Sequence, residues 1–148
     1  MTAGKREDRS GAAIAEWAAA RGYRLAARDV VPDETAAIAA RLVGWADGGE
    51  VDVILTTGGT GLSARDRTPE ATRAVLEREA PGIAEALRAW GARGQPRAVL
   101  SRGVAGTRGS ALVVNLPGSV GAVSDSLQAL EPVLEHAVEL LHGKTEHG

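Results

Sequence analysis

Residues 51–70 read VDVILTTGGTGLSARDRTPE. The stretch begins with a nearly continuous apolar, β-branched run, which is typical of a strand buried on both faces of a parallel sheet. We therefore predict a central strand here. The glycines within residues 58–61 follow at its carboxyl end, where open α/β sheets bind ligands. Because glycine lets backbone amides approach an anion closely, the loop predicts a phosphate site.

The residues after the loop predict the start of a helix. Thr68 is a candidate N-cap, Pro69 fits the first helical position, and the helical pattern continues to about Glu79. A charged cluster around Asp66 separates the loop from this helix. The glycine spacing matches neither the Walker loop nor the dinucleotide loop, so we expect another type of phosphate site. A tight turn that binds nothing is the alternative for the glycines taken alone.

Composition favours one globular domain. The chain has 148 residues with 44% apolar residues, but it has no Phe and one Tyr, so the core must be built from Ala, Val, Leu and Ile. A net charge of -2 gives no global attraction for nucleic acid. The absence of Cys excludes disulfides and thiolate chemistry. With no signal peptide and no membrane-length apolar run, we expect a cytoplasmic protein without nucleic-acid or membrane partners.

Capping residues and hydrophobic periodicity predict the other elements. Ser10 caps a first helix that stops at Gly22, residues 23–31 form a strand, and Asp33 caps a second helix. The remaining predictions are a helix from Pro81 toward Gly91, strands over 98–104 and 110–115 joined by a turn at 106–109, a helix after Ser119, a joint at Glu131 before Pro132, and a last helix to about Leu141.

This order predicts the fold class. Helices alternate with strands, so we expect a single domain over residues 1–148 that forms an α/β fold, a three-layer α/β/α sandwich with a mixed, mostly parallel sheet. The tail over about 143–148 is predicted to be loose. A doubly wound domain usually begins with a strand, whereas the first predicted element here is a helix.

Three motifs then stand in a fixed order. They are D-x-S-G at Asp8, Ser10 and Gly11, T-T-G-G-T-G with R-D-x-T-P over residues 56–69, and N-L-P-G-S over residues 115–119. With these motifs the sequence resembles the MogA/MoaB family of molybdenum cofactor biosynthesis proteins, which includes molybdopterin adenylyltransferases. The resemblance runs from about Gly4 to Leu141.

The resemblance implies a reaction: transfer of AMP from Mg-ATP to the terminal phosphate of molybdopterin, releasing pyrophosphate. The attacking phosphate oxygen is ionised at neutral pH, so catalysis needs alignment and charge neutralisation rather than a general base. By the same resemblance Asp33 and Asp66 are catalytic, and Asp66 holds Mg²⁺ together with phosphate oxygens. The substrate- and phosphate-binding residues that the resemblance implies are Thr57, Gly58, Gly59, Thr60, Gly61, Ser10, Gly11, Asn115, Pro117, Gly118 and Ser119.

Each of these residues has a simpler structural alternative. Asp33, Ser10 and Ser119 are possible helix caps, although a helix N-terminus also binds anions. Asp66 is a possible exposed loop acid, and Asn115 a turn anchor. The basic residues Lys5, Arg6, Arg102 and Arg108 are more often solvated than ligand-bound, and His136, His142 and His147 receive no role.

The resemblance also leaves questions open. It implies a homotrimer or hexamer and contact with a molybdenum insertase. It does not show which loop binds pterin and which binds adenosine, and it does not distinguish a molybdenum pathway from a tungsten pathway. Family members begin with a strand that this sequence lacks. We expect native protein to carry roughly eight to twelve more residues, because of a late start codon or truncation. The alternative functions are a non-catalytic molybdopterin or nucleotide carrier or scaffold, and a nucleotide hydrolase of the competence-damage type.

Overall fold

The computed structural model describes residues 3–143, with side chains from residue 9 onward. The elements in this range are α1 (Ala3–Ala20), α2 (Thr35–Asp47), β1 (Val53–Thr57), α3 (Thr68–Val75), β2 (Arg78–Glu79), α4 (Pro81–Ala92), a 3₁₀ helix (Pro96–Leu100), β3 (Ala105–Arg108), β4 (Ala111–Leu116) and α5 (Val120–Leu141). None of these helices has the length and apolar character needed to cross a membrane.

The strands form one mixed sheet in the order β1-β4-β3-β2. The pairing of β1 with β4 is parallel, whereas β4 with β3 and β3 with β2 are antiparallel. A mixed α/β sheet is confirmed, but its parallel share is smaller than predicted. The prediction that β1 is central was wrong: β4 is an inner strand with every residue buried, whereas Ile54 is the only buried residue of β1.

Helices cover both faces of the sheet. Because side chains alternate along a strand, Leu112, Val114 and Leu116 of β4 pack on one face with α4 and α5. Ala111 and Val113 pack on the other face with α2 and α3. The three-layer sandwich is therefore confirmed.

The outer edge of β1 has no strand partner in residues 3–143. The carbonyl of Asp52 accepts from the Leu112 amide, and the Gly58 amide donates to the Leu116 carbonyl, at 2.9 and 3.0 Å. Since the hydrogen-bonding direction alternates along a strand, the backbone groups of residues 53, 55 and 57 point away from β4.

The predicted strand over residues 23–31 was wrong, because this segment has no regular secondary structure and pairs with no described strand. A strand exists only where its backbone groups meet a neighbouring ladder. A groove of about 160 Å³ lies between this segment and β1.

Three predicted caps were wrong, and one is confirmed. Helix α1 already runs from Ala3, which places Ser10 inside it. The N-cap of α2 is Glu34 rather than Asp33, and α3 begins at Thr68 itself. Ser119 does cap α5, because its Oγ accepts a hydrogen bond from the Ala122 amide at 3.2 Å.

The end of α3 and the start of the hairpin also differ from prediction. Helix α3 ends at Val75 instead of Glu79, because Arg78 and Glu79 pair with β3. Residues 98–104 are not a strand; the hairpin strand begins at Ala105 and includes part of the predicted turn. The turn itself is shorter, with Gly109 at a φ of 58°, the positive value that tight hairpin turns need.

The C-terminal helix is continuous, so the predicted joint at Glu131 was wrong. Pro132 lies inside α5 and removes one backbone donor. The apolar face continues across it, with Leu130 and Leu134 both buried in the core, which compensates for the lost hydrogen bond. The predicted helix from Pro81 is confirmed as α4. The loose tail was predicted over about 143–148, and its residues 144–148, including His147, lie outside the described residues. The side chains of Lys5 and Arg6 lie outside them as well.

Candidate functional site

Two glycine turns lie side by side at one edge of the sheet. Gly58 follows β1 and Gly118 follows β4, and parallel neighbours end at the same edge. The backbones are in close contact, since a β-carbon on Gly118 would lie 3.3 Å from the Cα of Gly58. The Oγ1 of Thr57 donates to the Pro117 carbonyl at 2.8 Å. The two turns therefore form one surface.

The first turn requires glycine for steric and conformational reasons. Gly58 and Gly59 have φ values of 87° and 69°, which other residues rarely adopt. A β-carbon on Gly59 would also collide with the Oγ1 of Thr68. The Gly59 carbonyl accepts from the Thr68 amide at 3.1 Å, which ties the turn to α3.

The amides of this turn divide into bonded and unbonded groups. The Gly58 amide donates to Leu116 and is therefore used inside the protein. The amides of Gly59, Thr60 and Gly61 donate to no other described residue. These three donors are the ones that an anion could accept from.

Asp66 lies beside this turn with one carboxylate oxygen engaged. Its Oδ2 accepts a hydrogen bond from the Ser63 amide at 3.0 Å. Its Oδ1 has no hydrogen-bond partner within the described part of the chain. The side chain is half-buried. One oxygen is thus oriented by the loop and the other is available to a cation.

A cavity of about 740 Å³ opens over this surface. Its lining includes many of the residues that the sequence predicted, namely Gly58, Gly59, Thr60, Gly61, Asp66, Asn115, Pro117, Gly118 and Ser119. The N-terminus of α5 also faces it through Gly121 and Ala122. The positive end of the helix dipole therefore faces the cavity, which favours a bound anion.

Asp33 lies elsewhere. It is exposed and lines the groove beside β1 together with Gly11 and Thr57. This groove shares one lining residue, Gly58, with the large cavity. The structure therefore does not bring Asp33 and Asp66 into one cavity.

Ser10 and Asn115 act within the protein framework. Ser10 is 1% exposed, and its hydroxyl donates to the Gly118 carbonyl at 2.6 Å. Asn115 accepts from the Val104 amide at 3.1 Å through Oδ1, and its Nδ2 donates to the hydroxyls of Thr56 and Thr72 at 3.0 Å each. Both Nδ2 protons are therefore used, and each residue fixes a loop rather than presenting a free donor.

Six polar side chains of the cavity lining were not identified from the sequence: Arg88, Gln95, Arg97, Ser101, Asp125 and Ser126. Arg88 is half-buried and donates to the carbonyls of Ser101 and Gly103 at 3.3 and 2.8 Å. A sequence signal existed for Asp125, because it lies three residues after Ala122 on the same face of a helix whose N-terminus was predicted at the site. No comparable signal pointed to Arg88.

Charge around the loop is partly neutralised. A hydrogen bond from Arg102 holds the pKa of the Glu70 carboxyl below its ordinary value of 4.5. Among the side chains of residues 9–143, no group of three or more His, Asp or Glu could hold a metal ion. The free Oδ1 of Asp66 suits Mg²⁺, since this ion commonly binds one or two carboxylates and takes its other ligands from water and phosphate.

Comparison with known proteins shows which family this chain resembles. Residues 1–136 match the family model described as a probable molybdopterin binding domain. The crystal structure of the molybdopterin biosynthesis enzyme MoaB from Thermus thermophilus is 52% identical, with a TM-score of 0.87, covering 95% of this chain and 89% of that one. The molybdopterin adenylyltransferase of Escherichia coli is 37% identical over 96% of this chain and 73% of its own length.

Some relatives are much longer. The molybdenum cofactor synthesis protein cinnamon of Drosophila melanogaster is 45% identical over 76% of this chain, which spans 19% of that protein. The matching domain is therefore found both in short proteins and within longer ones. On the family model and the structural likeness, this chain belongs to the MogA/MoaB family of molybdenum cofactor biosynthesis proteins.

Proposed function

We propose that this protein is a molybdopterin adenylyltransferase. The main observation is that three kinds of group line the 740 Å³ cavity. They are the glycine-turn amides that have no hydrogen-bond acceptor in the described part of the chain, the N-terminus of α5, and the Asp66 carboxylate, of which only Oδ2 is hydrogen-bonded there. A site that joins two phosphate-bearing substrates needs these features. The name of the Escherichia coli relative supports the same activity.

In the proposed reaction, an oxygen of the molybdopterin phosphate forms a bond to the α-phosphorus of ATP. The bond from that phosphorus to the bridging oxygen breaks, and pyrophosphate leaves with the electron pair. The nucleophile is already ionised, so the protein has no proton to remove. The cavity lining within the described residues contains no His.

The chain's own residues would align the phosphates and balance their charge. The amides of Gly59, Thr60 and Gly61 and the first turn of α5 would donate to phosphate oxygens. Asp66 would bind Mg²⁺ through Oδ1, with Oδ2 kept in place by Ser63. When bound, Mg²⁺ supplies positive charge to the phosphates. A catalytic role for Asp33 stays a prediction.

The test is conversion of molybdopterin, ATP and Mg²⁺ to adenylylated molybdopterin and pyrophosphate. We expect Asp66→Asn to lower turnover about 10²–10³-fold while pterin binding is retained. Asp52→Asn is the control, because Asp52 is exposed and lies before the opposite end of β1. Binding of pterin without product would instead identify a carrier, and nucleotide cleavage without pterin a hydrolase.

The proposal extends to assembly and location. Leu62, Val99 and Leu100 are 67%, 61% and 50% exposed, and such apolar surface is consistent with a homotrimer or hexamer. Light scattering coupled to size exclusion would give the state, and a monomer at all concentrations would contradict it. A cytoplasmic location and contact with a molybdenum insertase stay predictions from the family.

A further inference from the structure

Arg102 joins both ends of the loop that carries Asp66. Its backbone amide donates to the Thr60 carbonyl at 2.7 Å, and its Nε donates to the Gly61 carbonyl at 2.8 Å. Its Nη2 donates to the carbonyl of Asp66, also at 2.8 Å. One residue therefore fixes the point where the loop leaves the glycine turn and the point where it reaches Asp66.

The same guanidinium is anchored to α3. Its Nη1 donates to the Oε2 of Glu70 at 2.6 Å, and Nη2 approaches Oε1 at 3.4 Å. The planar fork of arginine can serve two carbonyls and a carboxylate together, whereas the single ammonium of lysine cannot match this geometry. The Arg102 side chain is 32% exposed, so water competes only partly for these contacts.

The loop has few other connections to the domain. Residues 62–65 are all exposed. Their hydrogen bonds are local: Ser63 accepts from Asp66 and Arg65 and donates to the Asp66 carboxylate. These bonds shape the loop but do not attach it to the sheet or to a helix.

We propose that Arg102 is the positioning residue that sets where the Asp66 carboxylate lies relative to the glycine turn. Arg102 is absent from the lining of the large cavity and lines an adjoining cavity of about 330 Å³, which shares Ala84, Arg88, Ser101 and Gly103 with it. Because all three side-chain nitrogens of Arg102 donate to Gly61, Asp66 and Glu70, we infer that it acts through the loop. The kinetic part of this inference rests on the function proposed above. The structural part does not.

Arg108 provides a matched control. Its Nε and Nη2 donate to the two carboxylate oxygens of Asp47 at 3.0 and 3.1 Å, and its Nη1 donates to the Val75 carbonyl at 2.9 Å. It therefore makes the same kinds of contact as Arg102. It lines neither the groove beside β1 nor the cavities of 740 and 330 Å³.

The first experiment measures loop attachment without any ligand. Trypsin can cut after Arg65 and Arg67, which are both exposed. We expect Arg102→Gln to increase the rate of cleavage at these two sites at least about tenfold, and Arg108→Gln to leave it within about twofold. Equal cleavage rates in wild type and Arg102→Gln would overturn the proposal.

The second experiment measures the Mg²⁺ dependence of AMP transfer. Loss of a residue that orients a metal ligand typically costs about 10- to 100-fold in metal affinity or activity. We expect Arg102→Gln to raise the Mg²⁺ concentration for half-maximal turnover by this factor, and Arg102→Lys to restore little of it. An equal shift in Arg108→Gln would indicate a general stability effect and would overturn the proposal.

A second variant, which retains Arg102, tests the proposal even if Arg102→Gln does not fold. Glu70→Gln weakens only the carboxylate anchor, so it should give smaller changes in the same direction in both assays. If Arg102→Gln does not fold, the cleavage assay is carried out on Glu70→Gln. A cleavage rate equal to that of wild type would then contradict the proposal. If wild type transfers no AMP, the proposed function fails, while the cleavage assay still tests Arg102.

Discussion

Gly61 and Asp66 approach so closely that a β-carbon on Gly61 would lie 2.8 Å from the Oδ2 of Asp66. The absence of a side chain at Gly61 thus leaves the space that the carboxylate occupies. Unlike Gly58 and Gly59, Gly61 does not have a positive φ. Its importance is therefore steric, and it concerns the carboxylate rather than the backbone.

Gly61→Ala should accordingly impair function more than folding. The added methyl would displace the Asp66 carboxylate, and we expect turnover at limiting Mg²⁺ to fall about 10- to 100-fold. The free energy of unfolding should change by less than about 1 kcal/mol. Both quantities can be measured on the same preparation, by steady-state kinetics and urea denaturation.

Gly44→Ala is the control for this substitution. Gly44 lies within α2, and a β-carbon there would meet no atom within 4 Å. Alanine is favoured over glycine in a helix by up to about 1 kcal/mol, so this variant should be slightly more stable and fully active. If turnover of Gly61→Ala depends on Mg²⁺ concentration as in wild type, the prediction is contradicted. Either displacement of the Asp66 carboxylate does not affect the reaction, or Asp66 does not bind the metal.

Asn115→Ala should destabilise the protein. The substitution leaves the buried Val104 amide without its acceptor, which costs about 1–3 kcal/mol. The hydroxyls of Thr56 and Thr72 also lose a donor. We expect a lower urea midpoint with an unchanged affinity for pterin in the folded fraction.

Gln128→Ala gives the comparison for Asn115. Gln128 is an exposed amide that accepts from the indole of Trp90 at 3.2 Å, and its removal should change stability by no more than about 0.5 kcal/mol. If Asn115→Ala is as stable as wild type but binds pterin or ATP more weakly, Asn115 is a ligand, as the family resemblance implied.

The open edge of β1 predicts an alternating pattern of hydrogen exchange. The amides of Val53 and Leu55 point away from β4, whereas those of Ile54 and Thr56 point toward it. Protection from exchange is low for amides that open to solvent easily and high for amides in hydrogen-bonded core strands. The amides of Val53 and Leu55 should therefore exchange much faster than those of Ile54 and Thr56. Amide exchange followed by NMR resolves these residues, with Val113 of the inner strand as a slow reference. Equal protection along β1 would indicate that another strand covers this edge.

The predictions that succeeded were those governed by local chemistry. The apolar runs of β1 and β4, the glycines at 58 and 59, Pro81 at the start of α4 and the Ser119 cap each act through their neighbours in sequence. Such signals identify an α/β sandwich and a glycine turn after β1 because steric and capping effects extend over only a few residues.

The errors came from contacts between distant residues. An apolar run does not reveal whether its strand is inner or edge, since that depends on which other strands pair with it, and so β1 was wrongly placed at the centre. Pro132 suggested a break, but core packing on both sides of it keeps α5 continuous. Local propensity is a weak guide where packing opposes it.

The sequence by itself therefore determined the fold class, the glycine loop and the acidic residue beside it, because these follow from short-range sterics and charge. Only the tertiary structure decided that Asp33 and Asp66 line different cavities, that Ser10 and Asn115 serve the framework, and that Arg102 fixes the Asp66 loop. The physical reason is that hydrogen-bond partners separated by tens of residues are brought together by chain topology, which no local pattern encodes.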